Sequence, residues 1–140
     1  MKIIFLKFTL IFFLLINFLY AKPNFFEEGV NLYKKEKFVE AKFKFEQEIV
    51  LNPKSELSYL YLSKIFNKLD EKNLEEQNLK TVMLLNPKNE EAMYNLAKLK
   101  LASSDYKKSK ELNNRLSSIC NKFCNKNSEL KIEIENLSKK

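Results

Sequence analysis

Leu51-Asn52-Pro53-Lys54 recurs unchanged as Leu85-Asn86-Pro87-Lys88, displaced by 34 residues. A fixed period of this size marks a chain built from stacked copies of one small unit, each too small to bury its apolar face alone. A further step of 34 lands on Ile119-Cys120-Asn121-Lys122, a degenerate third copy. Pro53 and Pro87 stop helices, because the residue before proline resists the α region and proline has no amide proton. Between the stops, apolar residues fall at helical spacing. Phe38, Ala41, Phe45 and Ile49 form one stripe beside Lys42, Lys44, Glu46 and Glu48; Leu57, Leu60, Tyr61 and Ile65 form another. The pattern predicts six helices, over 23–35, 38–51, 55–68, 72–85, 89–102 and 105–119. One Gly and three Pro in 140 residues are too few for the tight turns of an all-β fold.

With units started at Lys22, Glu56 and Glu90, the copies agree position by position. The eighth residue is small (Gly29, Ser63, Ala97), the fourth bulky and apolar (Phe25, Tyr59, Met93), and the thirty-second reads Pro53, Pro87 and Asn121. In period and punctuation, residues 22–122 resemble the tetratricopeptide-repeat (TPR) family. The resemblance implies an all-α solenoid of three helical hairpins, each with a helix A and a helix B crossing closely. Several places depart from the family pattern. Glu28 stands where the seventh residue is usually Leu, Lys100 replaces the aromatic of the eleventh, and Glu75 occupies the twentieth, where a small residue is expected. Asn113 replaces the apolar twenty-fourth residue seen as Phe45 and Leu79. The third helix B is therefore expected to pack loosely.

Beyond the repeats, Leu130, Ile134 and Leu137 share one face of 128–138. A solenoid leaves its last apolar face uncovered, so this stretch is read as a capping helix within a 123–140 cap and tail.

The resemblance also implies where a partner lies, because TPR helices A line a concave groove. The corresponding residues are Phe26, Val30, Tyr33 and Lys34 in the first unit, and Lys64, Asn67 and Lys68 in the second. Tyr94 and Lys98 follow in the third. Leu57, Leu60 and Leu101 fall at such places too, but packing between neighbouring A helices explains them equally well. Aromatic anchors mixed with lysines suit a protein segment, with some leaning toward an acidic one. Chaperone-binding TPR domains grip a terminal carboxylate with Lys, Asn, Asn, Lys and Arg. The matching places here hold Phe26, Val30, Tyr61, Glu91 and Asn95, so that clamp is absent.

Met1 to Ala21 differs from all that follows. Lys2 and Lys7 precede an apolar run, Phe8 to Tyr20, broken only by Thr9 and Asn17. That length suits a secretory leader and falls short of the ~20 residues of a comfortable membrane span. Cleavage is expected after Ala21, giving a periplasmic protein; an uncleaved leader would anchor the same domain at the inner membrane, the only expected membrane contact. In an oxidising compartment Cys120 and Cys124 are expected to form a disulfide, provided the chain bends between them. The pair resembles cysteines that follow the last repeat in other small exported TPR proteins. A zinc site would need further ligands, and the sequence contains no His.

The net charge of +7 rests almost wholly on Lys, with Arg115 the only Arg. Reading bases or phosphates favours the bidentate guanidinium, so no nucleic-acid partner is expected. Without His or a Gly-rich phosphate loop, no catalytic constellation and no cofactor site can be named. The sequence points to a scaffold or adaptor. The alternative is a structural subunit of an envelope or secretion assembly, self-associating or packing through its convex face.

Overall fold

The computed structural model describes residues 24–138. The leader and its cleavage site lie outside the described residues. Among the described residues seven α-helices follow one another: α1 (Phe25–Lys34), α2 (Phe38–Leu51), α3 (Glu56–Lys68), α4 (Lys72–Leu85), α5 (Glu90–Ala102), α6 (Tyr106–Ser117) and α7 (Cys124–Leu137). The first six form three hairpins, α1–α2, α3–α4 and α5–α6, and α7 packs on α6 and α5. The all-α solenoid read from the period is the observed fold.

The hairpin turns are built alike. Glu36, Asp70 and Ser104, one per unit, all adopt positive φ (58°, 55° and 62°). Each lies within a Schellman-type stop: the next residue's N–H reaches back five residues, Lys37 to Leu32, Glu71 to Phe66 and Asp105 to Lys100. That same next residue is the N-cap of helix B, so a single residue ends one helix and starts the next.

Small residues set the hairpin crossings. In the first unit, Gly29 is buried and a Cβ there would stand 2.9 Å from Phe45 Cε1. In the third, Ser109 Oγ donates to the Ala97 carbonyl at 2.8 Å, joining the eighth and twentieth positions directly. The loose packing expected of the third helix B is corrected here. Ser109, Leu112, Asn113 and Leu116 of α6 are all buried. Asn113 owes its place to hydrogen bonds, since its amide donates to the Asn127 carbonyl oxygen and to Asn127 Oδ1 on α7, and Asn127 donates to Ser117 Oγ. With its partners satisfied, a polar residue fits an apolar position at small cost. Leu130 and Ile134 complete the lid over the core of α5 and α6.

Two core clusters result. One unites α1, α2 and α3 around Phe45, Ile65 and Phe66. The other runs from α3 to α7 through Leu79, Met93, Leu96 and Leu116. Each large side chain so buried contributes roughly 1.5–3 kcal/mol of transfer free energy.

The Glu28 departure has a physical reason. Residues three, seven and ten of a unit face the preceding helix B: Ser58, Leu62 and Ile65 in α3, and Ala92, Leu96 and Leu99 in α5, all buried. In the first unit the same places read Asn24, Glu28 and Asn31, all exposed. Glu28 pairs with Lys44 there. The first hairpin thus presents a polar end.

Candidate groove

Helices α1, α3 and α5 bound a cleft of about 490 Å³, and the α3–α4 turn closes one end. Tyr33 comes from α1, Lys64, Asn67 and Lys68 from α3, and Glu91, Asn95, Lys98 and Ala102 from α5. Asp70, Lys72 and Glu75 line the turn side. The period places them: residues of helices A spaced by one helical turn recur on the same side of successive hairpins.

Charges in the cleft are largely cross-linked. Lys64 Nζ lies 2.7 Å from Glu91 Oε1, bridging α3 to α5. Asn67 donates to both carboxylate oxygens of Glu75 at 3.2 Å. Lys72 lies 3.6 Å from Asp70. Glu75, at a place where a small residue is usual, is buried with its head turned to the cleft. Burial pushes its carboxyl above the ordinary range, and the Asn67 amide opposes the rise. Tyr33 is likewise raised by burial, with Lys64 acting against it. Next to Glu75, Glu76 behaves oppositely: hydrogen bonds from Lys100 and Lys80, each at 2.7 Å, hold it low. Lys100, anomalous as the eleventh residue of its unit, is therefore the partner that ties α5 to α4.

Five of the groove residues read from the sequence meet at this cleft: Tyr33, Lys64, Asn67, Lys68 and Lys98. The other four lie elsewhere. Phe26 and Val30 pack against the first core cluster, where Phe26 meets Phe45 and Tyr61 edge-on at 5.8 and 5.9 Å. Lys34 is exposed beyond the cleft. Tyr94 leans on Phe123 at 5.6 Å, beside the turn into α7. Of the three leucines with two readings, Leu60 and Leu101 are buried and Leu57 is half exposed. Sequence reasoning did not place Asn95, Asp70, Lys72 and Glu75 among the groove residues. Asn95 occupies a clamp position, and Glu75 was already conspicuous as a departure.

The cysteines lie at the α6–α7 turn with their sulfurs at bonding distance and their Cα atoms 5.2 Å apart. Cys120 is outside both helices and Cys124 opens α7, so the bend that a four-residue spacing needs is present. Glu90 fastens the same turn, accepting from the Lys122 and Phe123 N–H groups at 2.9 Å. These backbone contacts, with that of Asn121 foremost, hold its carboxyl low. Glu56, one period earlier, accepts instead from the side chains of Asn86 and Asn89. Among the described residues no cluster of potential metal ligands occurs, and no helix is long and apolar enough to cross a membrane.

No protein-family model matches the chain, and no curated protein resembles it in sequence. Its likeness to solved structures is nevertheless extensive. The first TPR domain of Spaghetti (RPAP3), bound to the HSP90 peptide SRMEEVD, matches with a TM-score of 0.73 at 16% identity, over 83% of this chain and 91% of that one. The type III secretion chaperone SycD of Yersinia enterocolitica, in complex with a peptide of the translocator YopD, matches equally well. Its TM-score is 0.73 at 16% identity, over 83% of this chain and 92% of that one. The TPR2B domain of yeast Sti1, in a pHsp70 complex, gives 0.71 at 15%, over 79% and 92%. At these identities the likeness establishes the fold: the chain is a TPR-type solenoid.

Proposed function

We propose that this chain is an exported, non-catalytic protein-binding module that holds a segment of a partner protein in the groove of its A helices. The observation that carries the reading is the cleft itself. It opens on three successive hairpins, is rimmed by the aromatic Tyr33, and offers Lys68, Lys98 and Asn95 toward solvent. Solved domains of this fold hold peptides from HSP90 and from YopD, which supports the same use of the fold here. Apart from ion pairs and amides, the cleft residues form no nucleophile–base arrangement, so binding accounts for the groove without chemistry.

The periplasm is the proposed compartment. The leader from Met1 to Ala21 supports export, and the Cys120–Cys124 pair suits an oxidising environment. Release after Ala21 would free the domain, whereas retention would tether it to the inner membrane with α1 close to the bilayer.

A structural-subunit reading draws on one feature. Val39, Phe43 and Val50 lie on one face of α2 and are 69%, 57% and 78% exposed, while the third unit carries Lys107, Glu111 and Ser118 at the same places. That face favours lateral packing. End-to-end stacking is disfavoured by the polar Asn24, Glu28 and Asn31.

Capture from an envelope extract with the wild-type chain and with Ala102→Trp, which fills the cleft from an exposed position, tests the groove reading. The expected result is a partner held by wild type and lost with the variant. Equal capture by both would transfer the function to the α2 face.

A further inference from the structure

The acids in the cleft are spoken for, whereas two of the bases lack a carboxylate: Lys68, and Lys98, whose Nζ lies 5.9 Å from the centroid of the Tyr94 ring. Glu91 is neutralised by Lys64 at 2.7 Å, Asp70 by Lys72 at 3.6 Å, and Glu75 is bound by the Asn67 amide. Among the described residues Lys68 and Lys98 have no carboxylate within ion-pair distance, although they stand on facing helices of one cleft. Asn95, on α5 with Lys98, lines the same cleft, and its amide makes no hydrogen bond to the described residues. The groove thus keeps a surplus of donors: two ammonium groups and one carboxamide.

We propose that the groove's ligand is an acidic stretch internal to its chain, whose carboxylate side chains lie against Lys68 and Lys98, with no need of a free C-terminus. The proposal rests on the groove reading above and specifies its partner. The complementary group for paired lysines is a carboxylate, and the open setting lets such contacts steer association and fix register. A terminal carboxylate is excluded by a separate feature. Glu91 stands where a clamp lysine would grip it, and Glu91 is held in the groove by Lys64. A chain end approaching that point meets a closed Lys64–Glu91 pair and finds no unpaired cation to grip it, whereas acidic side chains arriving nearer the α3–α4 turn meet Lys68. The volume of about 490 Å³ accommodates a few side chains, enough for a short extended run.

The test is selection from a random displayed peptide library, using protein expressed from the full sequence and purified as the cell processes it. The selected peptides are then measured against wild type, Lys68→Glu with Lys98→Glu, and Ala102→Trp. All three substituted positions are exposed, and thermal melts check that the fold is intact. The expected result is a pool enriched in Asp and Glu, bound equally well with free or amidated C-termini. Its affinity should fall about tenfold or more with the double charge reversal, and should weaken with added salt. A pool without acidic bias, lost with Ala102→Trp but kept by the charge reversal, would overturn this inference and leave the groove reading standing. So would acidic peptides that bind only with a free carboxylate. No enrichment, or binding indifferent to all three substitutions, would overturn the groove reading and this inference together.

Discussion

A hydrogen atom in place of a methyl group at Gly29 decides how closely α1 meets α2. The ring of Phe45 fills the space that a Cβ would need, and that ring is itself stacked on Tyr61 at 4.9 Å. Overpacking costs about 1–3 kcal/mol, and Ala gains about 1 kcal/mol over Gly in a helix. Gly29→Ala should therefore lower stability by about 1 kcal/mol in urea unfolding, with the slope unchanged. Glu75 and Glu76 are displaced in opposite directions and should contribute opposite pH dependences to stability. Burial raises Glu75 above its ordinary 4.5, so folding is penalised increasingly as pH rises from that value through the folded one. Glu75→Gln should gain stability relative to wild type on going from acid to neutral pH. Hydrogen bonds from Lys100 and Lys80 lower Glu76, so its stabilisation is present above 4.5 and lost as pH falls through the folded value. Glu76→Gln should lose stability at neutral pH and little in strong acid. Unfolding midpoints measured across that range would read both slopes.

At the scale of elements, the cap is the informative case. Asn127→Ala would remove two side-chain hydrogen bonds, that from the Asn113 amide to Asn127 Oδ1 and that from Asn127 to Ser117 Oγ, leaving only the backbone carbonyl of residue 127 for the amide, at a cost of about 1–3 kcal/mol. Hydrogen exchange should show the loss concentrated in α6 and α7. The same network explains why the cap was read from the sequence as 128–138 when α7 begins at Cys124. Its first buried residue is Asn127, and a buried polar residue leaves no mark in an apolar pattern. The other helix bounds were legible because the signals were local. Asn-Pro ends α2 and α4 near Leu51 and Leu85, and the repeat carried that register to α5. Long-range pairing was not legible. Lys100 looked like a defect until Glu76 stood beside it, and Asn113 until Asn127 did. In the groove, family register brought Tyr33, Lys64, Asn67, Lys68 and Lys98 together. It could not show that Phe26 turns into an aromatic cluster, since that depends on Phe45 and Tyr61 from two other helices.

At the scale of the whole fold, the described residues form a short solenoid, polar at one end through Asn24, Glu28 and Asn31 on α1 and covered at the other by the α7 lid. Capped ends keep an array from propagating, which leaves the lateral faces for partners. Two such faces compete, the A-helix groove and the apolar side of α2. Placing a photoreactive residue at Asn95 in one strain and at Phe43 in another, then irradiating cells, separates them most directly. The account predicts a discrete adduct with another protein from Asn95 and none from Phe43. An adduct from Phe43 alone would contradict it and assign the function to the α2 face.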